Sequence, residues 1–198
     1  MRLLLVRHAQ SAWNAGRRFQ GRADPELSEH GRAQAEALQR LLRGRRLTAV
    51  YSSPLRRARE TAAIAAREHG LPVNVLPELS ELGLGRWEGV SVDEVIAEDG
   101  ERYHRWLRAP LDCPPPDGEP LPAVSDRVLS AMDQIISAHP DGDELLVVGH
   151  GGIIGLYCCH ILGLSLNALW RLRIDNASLT VVAPPRLLSL NETAHLKG

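Results

Sequence analysis

Two stretches of this chain are too uniformly apolar to keep a face in water. RLLLV at 2–6 and ELLVVG at 144–149 contain no polar/apolar alternation inside their apolar runs. A strand of that kind is covered on both sides, which is the condition of a central strand in a sheet flanked by helices. Each run also stops at a histidine, His8 directly behind Arg7 in one case and His150 in the other. In layered α/β folds ligands gather beyond the carboxyl ends of the strands, so two residues 142 positions apart can face one cavity.

The remaining segments fit that frame. Polar, glycine-containing residues 8–27 read as a long loop, and Ser28 followed by Glu29 opens an Ala/Leu-periodic helix to Leu42. LTAVYS at 47–52 reads as a strand. Ser53 and Pro54 are a start signal for a helix over 53–70, and PVNVL at 72–76 is a further short strand. Glycine punctuates a loop at 78–89, helical pieces follow at 91–108, and Pro110 with Pro114, Pro115 and Pro116 breaks the chain before a helix over 121–139. GGIIGLYCCHILG starts the next helix. LWRLRI at 169–174 and ASLTVV at 177–182 are expected to be two closing strands joined at Asp175 and Asn176, with a peripheral tail from Pro184. The pattern predicts a three-layer α/β/α sandwich with a mostly parallel central sheet, as one domain over 1–198.

Composition excludes several classes of function. A formal net charge of -1 gives no general attraction to nucleic acid, and aromatics do not interleave with a basic patch. No apolar run reaches the length needed to cross a bilayer. Cys113, Cys158 and Cys159 form no CxxC pattern, so neither a disulfide framework nor a metal site is indicated; together with an opening strand that leaves no room for a signal peptide, this predicts a cytoplasmic protein. All but one of the 23 Lys and Arg residues are Arg. Base composition explains such a bias, yet the guanidinium fork also suits a held oxyanion better than a point-charge ammonium.

Phosphoryl chemistry is the reading that the residues admit. Arg7 at a strand end and Arg57 in the first turn of a helix can hold phosphoryl oxygens, and a neutral imidazole at His8 or His150 can act as a nucleophile. Gly151 and Gly152 allow backbone N–H groups to come close to an oxyanion. Each feature has a plainer alternative: a strand-end histidine as a hydrogen-bonded boundary residue, or Arg56, Arg57 and Arg59 as the wet side of a helix.

VRHAQSAWNAGRRFQGRADPELSEHGRAQA, SSPLRRARETA, LSELGLGRWEG, VVGHGGIIG and DNASLTVV, in that order, resemble the signature segments of the histidine phosphatase superfamily, phosphoglycerate-mutase-like branch. The resemblance implies that His8 becomes a phosphohistidine, that Arg7, Asn14, Arg57 and Gly151 hold phosphate, and that His150 supports the transferring group. It also makes Glu81 the proton donor and places Gln20 and Gly21 on a substrate loop. Ala9 and Gln10 depart from the usual Gly and Glu. The implied activity needs no cofactor and no metal and acts on a small-molecule phosphomonoester. Only 68 residues lie between Glu81 and His150, shorter than in mutases of the family, so hydrolysis of the alpha-ribazole or broad-specificity phosphatase kind is favoured. A phosphoglycerate-type mutase and a catalytically weak phosphate-binding regulator are the alternatives. LWRLRI is the expected edge for a homodimer. Trp87, Tyr103, His104 and Trp106 are read either as a cap on the pocket or as packing.

Overall fold

The computed structural model describes residues 1–139 and 142–197. β1 (Arg2–Arg7), β2 (Leu47–Ser52), β3 (Val73–Val75), β4 (Glu144–Gly149), β5 (Leu179–Ala183) and β6 (Arg186–Glu192) form one six-stranded sheet, in the order β3-β2-β4-β1-β5-β6. β3, β2, β4 and β1 are mutually parallel; β5 and β6 add two antiparallel strands at one edge. β1 and β4 are thus the two middle strands, as their apolar runs require.

Side-chain alternation along these strands feeds two separate cores. Leu3 and Leu5 of β1, with Leu145 and Val147 of β4, face a cluster built on the helices α4 (Val92–Arg108), α5 (Leu121–Ser137) and α6 (Gly151–Ile161). Leu4, Val6, Leu146 and Val148 face the opposite cluster, made with α2 (Glu29–Leu42) and α3 (Arg56–Ala65). The result is the expected sandwich. α6 is buried from Gly152 to Cys159, which accounts for an apolar stretch without a polar stripe.

Four local expectations are corrected. LWRLRI is not a strand: Leu166–Arg171 forms a 3-10 helix whose first turn is tied by the Ser165 hydroxyl accepting from the Asn167 N–H, and it packs Leu169 beneath α6 at Gly155. Asp175 and Asn176 therefore join no pair of strands, and LWRLRI offers no sheet edge to a second copy. The tail is not peripheral, because Arg186–Glu192 forms the sheet's edge strand after a turn at Pro184 and Pro185. The helix foreseen from Ser53 begins only at Arg56: the Ser53 N–H instead bonds Val148 O, continuing the strand pairing, and Asp24 caps the helix through the Arg56 N–H. A short α1 (Ala12–Ala15) with a Ser11/Asn14 capping box also lies inside the 8–27 loop.

The start of α2 steadies the loop after β1. Ser28 accepts from Gly31 N and donates to the Gln10 side chain, and a Cβ on Gly31 would lie 1.9 Å from Gln10 O. Gly31→Ala is therefore expected to destabilise the protein by about 1–3 kcal/mol through overpacking, although alanine is the better helix former. Chemical denaturation checks this; a variant as stable as the native protein would show that the contact is not tight.

Candidate active site

Three neighbouring strands, β2, β4 and β1, end side by side, and each delivers a polar group to the same place. Ser53 follows β2, His150 follows β4, and Arg7 with His8 closes β1. Arg57, in the first turn of α3, reaches across them. Its Nε donates to His8 Nε2 at 3.3 Å and one terminal nitrogen lies 3.4 Å from His150 Nδ1. The same guanidinium donates to Gly21 O at 2.8 Å and Ala23 O at 2.6 Å. Arg56, by contrast, points outward to Glu26.

These contacts fix the imidazole tautomers. His8 Nδ1 sits 2.7 Å from Ala9 O, which can only accept, so the proton is on Nδ1 and the lone pair is on Nε2, facing into the site. His150 Nε2 lies 2.7 Å from the Ser53 hydroxyl, which leaves Nδ1 as its lone-pair nitrogen toward Arg57. The two rings meet edge-on with centroids 5.2 Å apart.

Arg7 is held by one bond, to Ile174 O at 2.6 Å, and its Nε is buried without a partner. Behind it, residues 174–176 are fastened from β6. The Asn191 side chain accepts from Asp175 N at 2.7 Å and donates to the Asp175 carboxylate at 3.0 Å. Asn176 then donates to His8 O and to Asn14 Oδ1. Because Oδ1 of Asn14 also accepts from Ser11 N, the amide NH2 is the free donor of this pocket-lining side chain.

Glu81 enters from the 78–89 loop. Its oxygens accept from Leu82 N at 2.9 Å and from Gly152 N at 3.3 Å. A Cβ on Gly152 would collide with Leu82 and with Glu81 Oε1, so this glycine lets α6 approach the acid. Of the glycine pair, it is Gly152 that bonds Glu81, while Gly151 packs against the Arg7 side chain. Arg127 of α5 grips the loop from below, donating to the carbonyls of Glu78, Ser80 and Glu81 and to Glu119.

These groups share a cavity of about 270 Å³, close to the lower end of small-molecule sites. Arg7, His8, Asn14, Gln20, Gly21, Arg57, Glu81 and Gly151 all line it. His150 stands just behind, fully buried. Gln20 is tied down by accepting from Ser11, and Gly21 serves Arg57 through its carbonyl.

The family model described as "Histidine phosphatase superfamily (branch 1)" matches residues 3–186. The chain belongs to this family. It is 36% identical over 200 residues to phosphoserine phosphatase 1 of Hydrogenobacter thermophilus, covering 99% of this chain and 94% of that one. A probable phosphoglycerate mutase of Erwinia tasmaniensis is 36% identical over 186 residues, covering 92% of this chain and 84% of its own. Among solved structures, mycobacterial glucosyl-3-phosphoglycerate phosphatase in complex with VO3 superposes with a TM-score of 0.90 at 32% identity, over 97% of this chain and 99% of that chain.

Within this histidine phosphatase the sequence departures at 9 and 10 lie outside the cavity lining. Ala9 is buried and donates its N–H to Thr61, whereas Gln10 bonds Ser28 and Gln34 at the start of α2 and is not among the lining residues. Ser53, Asn176, Arg127 and Asn191 went unnoticed in the sequence, since each acts through a contact between segments distant along the chain. The SSPLRRARETA and DNASLTVV matches contain two of them, Ser53 and Asn176, without giving either a role. Of the aromatics read as cap or packing, Trp106 lines the cavity, while Trp87 and Tyr103 pack against Phe19 behind it.

The electrostatics are polarised. Burial first, then Arg57, hold both His8 and His150 well below the usual histidine range. Burial pushes the Arg57 guanidinium down to about 10 and raises the Glu81 carboxyl, against the opposing pull of Leu82 N–H and Arg57. The histidines thus stay neutral when folded but take up protons near pH 6.5 once unfolded, so their contribution is present above that value and is lost as pH falls. Glu81 has the opposite sign, contributing below its unfolded value and losing this as pH rises. His8→Asn and His150→Asn are each expected to flatten the decline in Tm between about pH 7 and about pH 5. Thermal melts across that range check it, and native-like slopes in both variants would contradict it.

Proposed function

We propose that this histidine phosphatase hydrolyses small organic phosphomonoesters in two steps through a phosphohistidine on His8. The single observation that carries the reading is the His8 ring. Its proton is pinned on Nδ1 by Ala9 O, its lone pair on Nε2 points at the buried Arg57 guanidinium, and its basicity is suppressed, so at neutral pH it is an unprotonated nucleophile beside a fixed cation.

In the first step the substrate phosphoryl group lies between Arg7, Arg57 and the Asn14 amide, and His8 Nε2 attacks phosphorus in line with the ester oxygen. Arg57 Nε, which now bonds His8 Nε2, turns to a phosphoryl oxygen and frees the lone pair. Arg7 Nε, buried and unpartnered, gains an acceptor by the same event. His150 is neutral on its own, but a phosphoryl dianion favours a proton at Nδ1, which turns that nitrogen into a donor while Ser53 keeps the other. Glu81, whose protonated form burial favours, gives its proton to the departing alkoxide. In the second step the resulting carboxylate takes a proton from water, the water oxygen attacks phosphorus, the P–N bond to His8 breaks, and phosphate leaves. Two arginines supply the positive field for the phosphoryl oxygens.

The substrates named for the relatives, phosphoserine and glucosyl-3-phosphoglycerate, are both small phosphate esters, in keeping with the cavity. The test is steady-state turnover of alkyl and aryl phosphates, with rapid acid-free quenching to trap labelled protein. His8→Ala is expected to abolish both turnover and the acid-labile label. Glu81→Gln should slow alkyl phosphates by about 100-fold or more and p-nitrophenyl phosphate much less, because nitrophenolate leaves without a proton. Turnover surviving in His8→Ala would overturn the nucleophile assignment. Transfer of the label to a phosphoglycerate acceptor in place of water would establish a mutase.

A further inference from the structure

Beyond the phosphate cradle the cavity changes character. Its outer wall is Phe19, Leu84, Trp106, Trp170 and Leu172, with Arg18 at the rim. The Trp106 and Trp170 rings lie 4.6 Å apart between centroids, and Phe19 stands edge-on to Trp106 at 6.0 Å, so the wall is one connected aromatic surface. Among the described residues lining the cavity Glu81 is the only acid, against three arginines. Nearby carboxylates are already occupied: Glu88 accepts from Arg22 N and Leu84 N, and Glu119 accepts from Arg127 and pairs with Arg22.

A substrate ammonium group in this chamber would lose water and find arginines rather than acids, a costly burial. Its one available counter-ion would be Glu81. That pairing would favour the ionised carboxylate and so withdraw the proton that an alkoxide leaving group needs. A flat uncharged body, in contrast, buries apolar surface against the two indoles.

We propose that the outer chamber selects phosphomonoesters whose alcohol carries a flat, uncharged body and disfavours those whose alcohol carries an ammonium as its only charge. The inference rests on the phosphomonoesterase reading above, and Trp170 is the residue that carries the selection.

The experiment compares primary alkyl esters, so that Glu81 protonation is required throughout. 2-Phenylethyl phosphate, ethyl phosphate and phosphoethanolamine are assayed with the native protein, Trp170→Ala and Trp170→Leu, the last keeping an apolar side chain should the alanine variant misfold. The native protein is expected to prefer 2-phenylethyl phosphate to phosphoethanolamine by about 30-fold or more in kcat/KM. This runs against leaving-group chemistry, since an ammonium makes the alcohol the better leaving group. In the variants the ratio of kcat/KM for 2-phenylethyl over ethyl phosphate is expected to fall about tenfold, mainly through KM. Equal or better use of phosphoethanolamine, or a ratio unchanged in both variants, would overturn the proposal while leaving the phosphomonoesterase reading intact. No turnover of any ester, p-nitrophenyl phosphate included, would overturn that reading and this one with it.

Discussion

A full positive charge with no exposed surface, Arg57, organises this end of the molecule. Its contacts are carbonyl oxygens from Gly21 and Ala23 and the lone-pair nitrogens of His8 and His150; among the described residues no carboxylate bonds it directly. Burying a guanidinium with partial charges alone costs folding free energy, which is why its pKa is dragged down to about 10. The cost is tolerable because four acceptors converge on its planar fork from three different segments. Removing any one of them would leave a buried donor unmet. The same geometry leaves a site in which an incoming anion is better matched to the cation than the neutral groups now around it.

That single constraint sets the chemistry of its neighbours. Two imidazoles in contact with a buried cation cannot both be charged, so they stay neutral, and each must then place its one proton on an external acceptor. Ala9 O and Ser53 Oγ are those acceptors. Ser53 is available only because the chain after β2 keeps pairing with Val148 for one more residue before turning into α3. Glu81 lies in the same low-dielectric pocket, but desolvation acts on a carboxyl in the opposite direction and favours its proton. One environment therefore pushes the imidazoles toward their neutral form and the carboxyl toward its protonated form, moving the two kinds of group in opposite directions.

Much of this was legible along the chain, and what was missed has a common cause. The central strands were readable because their apolar runs leave no solvent face, and Arg7, His8 and His150 because they sit at the ends of those runs. Arg57 could be separated from Arg56 only by the match to SSPLRRARETA, since both are arginines in the first turn of one helix and periodicity alone does not say which faces the sheet. LWRLRI misled because alternating large side chains suit a strand, whereas Ser165 starts a 3-10 helix there and Leu169 is drawn under α6. The tail misled because nothing within 186–192 marks it as an edge strand until β5 is in place to receive it. Asn191 in particular takes a left-handed backbone, φ 57°, in an irregular stretch of that strand, and its task of holding residues 174–176 depends wholly on tertiary placement.

Support for the reactive groups is thus spread over the whole fold. Arg7 depends on Ile174 O, the 174–176 turn depends on Asn191, and Asn191 depends on the pairing of β6 with β5. Glu81 depends on Arg127 and on the absence of a side chain at Gly152. The aromatic side chains of the outer wall meet chiefly through ring contacts, which constrain direction far less than paired hydrogen bonds do. A cradle fixed by directional bonds and a chamber shaped by packing can change independently. A substitution in the wall therefore reshapes the chamber while the bonds that fix Arg7, Arg57 and Glu81 stay as they are, since none of those bonds comes from a wall side chain.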